Sequence, residues 1–255
     1  MNYIERKIQI IELLNNNGGV LNIDLLAKKL YVSRSTLRRD LIQLENEGVI
    51  VRHHGGISLI PSSALENSIE LRRMENPNKK SLIAKLAYQF IHDNMVLFLD
   101  SSSTVSYLIP LLKGMNNITI ITNGINIAAQ LHTADNLKCY LCPGLLKNKS
   151  LSVIGEYAAD FLNNFRAETV FFSCKAINQN GVFEGDDAQA LNKRNMIKNA
   201  DKKILLCDTS KESATGYFKL ADFSSIDYLI SNGAFSDELS KVIKSCGCKM
   251  IHTAE

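Results

Sequence analysis

No run of about 18 apolar residues, the length a helix needs to cross a bilayer, occurs in this 255-residue chain, so no transmembrane span is expected. No secretory leader is expected either. Met1-Asn2-Tyr3-Ile4-Glu5-Arg6-Lys7 passes straight into an amphipathic pattern without the apolar core of a signal peptide, and the expected location is the cytoplasm. Net charge is small: 29 Lys and Arg against 26 Asp and Glu leave +3. That is too little to mark a nucleic-acid binder, so the position of the cations has to carry that argument. There are six cysteines. The close pairs Cys139/Cys142 and Cys246/Cys248 raise zinc as a reading. Most of the six lie in apolar runs that read as strands, where the spacing builds no zinc knuckle, and buried thiols without a metal are the expectation. At 45% hydrophobic and 22% charged, the chain has an ordinary globular composition, and its length suits two domains.

The first sixty residues carry the cations in a telling place. Ile4, Ile8, Ile11 and Leu14 recur at helical spacing, with Gly18-Gly19 as a stop. A shorter helix over 24–30 turns Leu25, Leu26 and Leu30 inward. Tyr31-Val32-Ser33 is a tight turn, and Ser33 can cap the next helix. That helix buries Leu37, Leu41 and Leu44 and stops at Gly48, a suitable left-handed residue. Strands over 49–52 and 57–60 follow, joined through His53-His54-Gly55-Gly56. Helix, helix, turn, helix and hairpin make a winged helix-turn-helix over 1–60. The third helix opens with Ser33, Arg34, Ser35, Thr36, Arg38 and Arg39, the groups that meet base edges and phosphates when such a helix enters the major groove. Arg52, His53 and His54 sit on the wing, within reach of the DNA backbone or minor groove.

Residues 61–77 are polar and open with Pro61-Ser62-Ser63, a linker with one or two helical turns at most. From Asn78 a helix runs to about His92. Apolar runs over 95–99, 118–121, 137–141, 170–172, 204–207 and 228–230 then alternate with helical patterns near 104–113, 125–133, 155–163, 187–200 and 236–245. Continuous apolar runs suit strands buried on both faces. The alternation predicts an α/β domain over 78–255 with a mostly parallel sheet. Ligands of such sheets sit at the carboxyl ends of the strands. Those ends read Asp100-Ser101-Ser102-Ser103-Thr104, Thr122-Asn123-Gly124, Pro143-Gly144, Ser173-Cys174-Lys175 and Asp208-Thr209-Ser210-Lys211. Backbone N–H groups and cations suit a phosphate, while carboxylates and amides suit hydroxyls.

The stretch Val32-Ser33-Arg34-Ser35-Thr36-Leu37-Arg38-Arg39-Asp40-Leu41, with Leu44-Glu45, Gly48 and Arg52-His53-His54-Gly55-Gly56, closely resembles the DeoR family of bacterial regulators, and the likeness continues through nearly the whole chain. The resemblance implies that Arg38 and Arg39 contact an operator. It also implies that the second domain is ribose-5-phosphate-isomerase-like, binding a phosphorylated sugar or polyol without catalysis. Asp100 and Ser102, Ser103 and Thr104 would then hold the phosphate, with Thr122 and Asn123 nearby, and Lys193, Asp208 and Lys211 match the family's pattern; the strand ends add Ser101, Gly144 and Lys175 to the expected effector site. Pro143-Gly144 stands where the family has Gly-Gly, and Lys175-Ala176 where it has Ser-Gly. Gln189 replaces a glutamate and Asn232 an aspartate, which implies a more electropositive pocket.

The expected function is a repressor of a sugar or polyol operon, relieved by a phosphorylated intermediate. Its partners would be double-stranded operator DNA, that metabolite and further copies of the chain, which meet through apolar helices of the second domain. No membrane partner and no cofactor are expected. Two other classes fit the residues. A sugar-phosphate isomerase would draw its base from Glu184, Asp186, Asp187 or Asp208. A thiol or metal sensor would use Cys139 and Cys142.

Overall fold

The N-terminal apolar stripe folds as helix α1 (Tyr3–Asn15) in a computed structural model that describes residues 3–15, 17, 19–47, 49–53, 56–59 and 68–253. Ile10 and Leu14 are its fully buried side chains. Ile11, expected to face inward, is only partly buried, because the stripe is turned to run through Lys7, Ile10 and Leu14. A short strand the periodicity did not announce, β1 (Val20–Asn22), precedes α2 (Ile23–Leu30), whose first turn is capped by the Asn22 side chain. Leu25, also expected inside, is 44% exposed. Tyr31 then closes α2 in the left-handed conformation, φ 53°. Helix α3 (Arg34–Asn46) starts on the Ser33 cap and buries Leu37, Leu41 and Leu44 as expected, together with Asp40. Strands β2 (Ile50–His53) and β3 (Gly56–Leu59) form the wing, and β1 joins them in the order β1-β3-β2. Helix α4 (Ile69–Met74) follows.

These elements belong to one compact unit, Met1–Glu75, and the rest of the chain to a second, Asn76–Glu255. The polar segment read as a linker is therefore helical in its second half: Ser68 caps α4, which buries Ile69 and Leu71. Pro77, assigned to the linker, is the first residue of α5 (Pro77–Tyr88), where its fixed φ suits a helix start. Gly18, Gly48, His54, Gly55, Ile60 and residues 61–67 lie outside the described residues.

The second unit continues with β4 (Val96–Leu99), a 3-10 turn at Val105–Leu108 that runs into α6 (Ile109–Leu112), then β5 (Ile118–Thr122), α7 (Ile125–Leu131) and β6 (Leu137–Leu141). The hairpin β7 (Leu145–Lys147) and β8 (Ser152–Ile154) leads to α8 (Glu156–Asn163) and β9 (Ala167–Phe172). Next come β10 (Ala176–Asn178), β11 (Gly181–Glu184), α9 (Asp187–Lys198) and β12 (Ala200–Leu206). The chain closes with β13 (Phe218–Ala221), β14 (Tyr228–Ile230), α10 (Asp237–Ser245) and β15 (Lys249–Ile251). Seven strands form one sheet in the order β15-β14-β12-β9-β4-β5-β6, and every pairing in it is parallel. Alternate residues feed two apolar layers. Phe98, Val170, Phe172 and Leu205 lie in one, and Leu97, Leu99, Phe171, Ile204 and Leu206 in the other, which is why these strands read as unbroken apolar runs.

Strand β6 departs from that expectation. It is the outer strand of the sheet, and Tyr140 and Leu141 are 46% and 40% exposed. With Leu145 and Leu146 on β7 and Tyr157 on α8 they place exposed large apolar side chains mainly on strands rather than helices in this part of the unit. Among the described residues no helix is long and apolar enough to cross a membrane.

Candidate functional site

Helix α3 offers a polar, cationic surface at its front. Ser33 is spent on capping: its Oγ accepts the Thr36 N–H at 3.1 Å and lies 2.9 Å from the hydroxyls of Ser35 and Thr36. Arg34 pairs with Asp24 of α2 at 2.9 Å, both side chains well exposed. Arg38 and Arg39 are exposed, and no side-chain hydrogen bond or ion pair engages either among the described residues. Asp40, between them and the core, points the other way. Its carboxylate accepts from Arg6 Nε at 2.6 Å and Nη2 at 2.9 Å, a forked pair that fixes α3 to α1. Lys7 pairs with Glu47, which also accepts from the Tyr3 hydroxyl at 3.1 Å. Helix α3 is thus tied to α1 through Asp40 and its C-cap Glu47, while Arg38 and Arg39 stay exposed. On the wing, Arg52 turns back toward Glu45 at 3.8 Å, and His53 Nε2 lies 2.7 Å from Ser58 Oγ. His54 falls outside the described residues.

The second site follows from the strand order. The chain adds β5 and β6 on one side of β4 and then places β9, β12, β14 and β15 on the other. The winding therefore reverses between β4 and β9, and a crevice opens there at the carboxyl ends. Asp100, after β4, is fully buried. Its carboxylate accepts N–H groups from Ser102 and Ser173, each at 2.9 Å, and the Lys193 ammonium at 2.9 Å. Lys193 Nζ also pairs with Glu184 and donates to Ser173 O at 2.7 Å. Burial would lower the Lys193 pKa, but Asp100 and Glu184 outweigh it and hold the ammonium well above its ordinary value. Lys193 is thus held between two carboxylates.

Beside this cluster the loops after β4 and β5 touch. A Cβ on Gly124 would stand 3.0 Å from Ser101 Cα, so a larger residue there would press the two loops apart. Ser101 Oγ donates to Gln189 Oε1 at 3.4 Å, and Gln189 Nε2 donates to Ser150 and Ser152 at 3.1 and 2.7 Å. Asn123 Nδ2 and Asn192 Nδ2 both donate to Val153 O, at 3.1 and 2.9 Å. Thr122 is buried, and its hydroxyl accepts the Gly124 N–H at 3.0 Å. Ser102 Oγ accepts the Val105 N–H at 3.2 Å and Ser106 donates to Ser103 O at 2.7 Å, so part of the serine loop serves as a helix start. Thr104 and Ser103 are buried in the same turn.

The remaining candidates are more dispersed. Gly144 has φ +140°, and a Cβ there would meet Ile154 O at 2.7 Å, a packing reason for glycine. Lys175 is partly buried beside Gly185. Asp208 is buried and accepts from Ser210 N at 3.1 Å as a turn cap. Lys211 is partly exposed and close enough to Cys207 to oppose the rise of its thiol pKa, which Cys174 at 3.7 Å and burial drive upward. Asn232 accepts the Thr209 N–H at 3.0 Å.

Sequence reasoning passed over Ser150, Ser152, Asn126 and Asn192. One signal was available: Gln189, Asn192 and Lys193 occupy the buried stripe of α9 that Met196 and Ile197 continue, and polar residues on a core stripe mark a site.

The carboxylates considered for an isomerase base are all engaged. Glu184 pairs with Lys193, Asp187 accepts the Ala188 N–H, Asp208 caps its turn, and Asp186 caps α9 while pairing with Lys147 at 2.8 Å. Burial would raise the Asp186 pKa, but the bonds from Lys147 and the Gln189 N–H hold it below its ordinary value. Among the described residues no three His, Cys, Asp or Glu side chains are grouped to hold a metal. Burial pushes the Cys142 thiol up to about 12 and raises Cys139 as well, the wrong direction for a reactive thiolate.

Comparison with known proteins agrees with both halves. A family described as the DeoR-like helix-turn-helix domain matches residues 6–63, and one described as the DeoR C terminal sensor domain matches residues 75–233. The chain is 30% identical to the HTH-type transcriptional repressor GlcR of Bacillus subtilis, over 93% of each chain. It is 31% identical to the L-fucose operon activator of Haemophilus influenzae, over 94% of this chain and 96% of that one. It is 30% identical to the glycerol-3-phosphate regulon repressor of Escherichia coli, over 89% and 90%. Among solved structures, ribose 5-phosphate isomerase A of Methanocaldococcus jannaschii aligns at TM-score 0.40 and 16% identity, covering 54% of this chain and 55% of that one, so the chain spans about half the length of that protein. With Arg38 and Arg39 exposed on a helix-turn-helix and two family matches that together cover most of its length, the chain belongs to the DeoR family of DNA-binding transcriptional regulators.

Proposed function

We propose that the chain represses a sugar or polyol operon and is released from its operator by a phosphorylated intermediate of that pathway, bound between β4 and β9, where the order of strand addition reverses. The observation that carries this reading is the gathering of Asp100, Ser101, Thr122, Asn123, Gln189 and Lys193 at one strand edge. Buried polar groups are costly unless hydrogen-bonded, and Asn123 keeps an oxygen there without a protein partner. The names of relatives agree in subject, since they refer to fucose and glycerol 3-phosphate, and differ in sign, one being an activator. Repression is the sign assigned here. In this reading the amides of the Ser101–Thr104 loop meet the phosphate, with Lys175 and Lys211 adding positive charge from the rim. Gly144 and Asp208 shape the surrounding turns.

A helix-turn-helix reads only a few base pairs, so two or more copies on repeated half-sites supply useful specificity. The exposed apolar residues of β6 and β7, Leu146 among them, are what we assign to contact with a second copy. Leu146→Lys should then lower the sedimentation coefficient of the protein without lowering its helix content. An unchanged coefficient for an oligomeric protein would remove the assignment.

The test of the sensor reading is thermal unfolding against a panel of sugars and polyols paired with their phosphates. A ligand at about 100 times its dissociation constant stabilises by about 2.7 kcal/mol. A shift of the melt by one phosphate and not by its parent sugar supports the reading. A flat panel, with operator binding intact, sinks it.

A further inference from the structure

We infer that Asn123, Asn126 and Asn192 form a hydroxyl-reading subsite that grips the polyhydroxylated body of the effector. The inference rests on the sensor reading above and adds which atoms choose the ligand. Asn123 and Asn192 are 1% and 0% exposed. Both turn their NH2 groups to Val153 O. A carbonyl can only accept, so the orientation of each amide is fixed, and each presents its oxygen on the opposite side. Neither oxygen has a hydrogen-bond partner, and Asn126, 8% exposed, has none for its oxygen or its nitrogen.

The three amides share one place. Two converge on the same carbonyl of β8. Asn126 Oδ1 lies 3.1 Å from the point where a Cβ on Gly124 would stand, the point that is also 3.0 Å from Ser101 Cα. They therefore adjoin the loop assigned to the phosphate. Two fixed acceptors cannot satisfy one another, so the site demands donors from outside the protein. A phosphate at neutral pH offers mostly acceptors, whereas a chain of hydroxyls offers donors that can also accept from Asn126 Nδ2. The geometry thus selects neighbouring hydroxyl groups on the ligand.

The experiment titrates the full-length protein and its Asn126→Ala and Asn192→Leu variants, by calorimetry, with inorganic phosphate and with pentose, hexose and glycerol phosphates beside their deoxy counterparts. No protein atom bonds to the Asn126 side chain, so Asn126→Ala should melt at the wild-type temperature, which separates recognition from folding. Wild type should bind its preferred phosphate about 10- to 100-fold more tightly than the matching deoxy compound, because the deoxy form leaves a buried acceptor unmet. Asn126→Ala should lose most of that ratio while its affinity for inorganic phosphate stays the same. Asn192→Leu should behave alike. If hydroxylated and deoxy phosphates bind wild type equally, or if Asn126→Ala keeps the ratio, the subsite is overturned while the sensor reading stands. If no phosphate binds wild type, the sensor reading fails and this assignment fails with it.

Discussion

Arg38, Arg39 and Asp40 are consecutive, yet they serve opposite ends of the molecule's work. A helix turns about 100° per residue, so the step from Arg39 to Asp40 carries the chain from the exposed face to one that is 4% exposed. Arg38→Ala should weaken operator binding by about 1–3 kcal/mol if the guanidinium forms a bidentate pair with guanine. The melting temperature should not change, since no protein contact is lost. If Arg38 meets only phosphate, gel-shift titrations should show the same loss on unrelated DNA and a shallower dependence on salt. Unchanged affinity and slope would refute both roles. Arg6→Ala makes the complementary case. It leaves the Asp40 carboxylate buried without its forked partner, and the first unit should lose about 3–5 kcal/mol in urea unfolding. Lys193→Met should cost a similar amount in the second unit, because Asp100 and Glu184 would face each other without a cation between them.

At the scale of elements, the Asp186 cap of α9 makes a pH prediction. Its folded-state pKa lies below the ordinary 3.8, so its contribution is complete above that value and is lost as pH falls through the lower, folded one. Asp186→Asn keeps a good cap but gives up the Lys147 pair. Wild type should be the more stable above about pH 5, with the gap closing toward pH 3 in chemical unfolding. A gap that does not change with pH would remove the ion pair as its cause. The cysteines make a second prediction. Native protein treated with an alkylating reagent near neutral pH should be modified at exposed Cys246 and protected at buried Cys142, Cys174, Cys207 and Cys248, as peptide mass spectrometry can read. The central strands and the three helices of the reading module were legible because their side chains repeat with the period of the element. Strand β1 was not, since only Leu21 of its three residues is buried and its partner β3 lies far along the chain. Strand β6 misled, because apolar residues on an outer strand look the same in sequence as those in the middle of a sheet. The candidate site was legible where strands end, at Asp100, Ser101 and Asn123. Ser150 and Ser152 enter it through the separate hairpin β7–β8, and nothing in their local sequence says where that hairpin lies.

For the whole molecule, the repressor reading requires reciprocity. If an effector lowers operator affinity by some factor, operator DNA must lower effector affinity by the same factor. Titrating the effector that emerges from the ligand panel with and without a saturating operator fragment measures this, and equal affinities in the two titrations would break the link between the two sites. The first unit owns a closed apolar cluster built on Ile10, Leu14, Leu26, Leu37, Leu41, Leu44 and Ile57, and the second owns two clusters of its own on either side of its sheet. None of these three clusters draws residues from both units. On the sensor reading proposed above, mutations that retune which metabolite is sensed can therefore accumulate without disturbing which promoter is addressed. A chimera cut near Glu75 should keep the address of one parent and answer to the nutrient of the other.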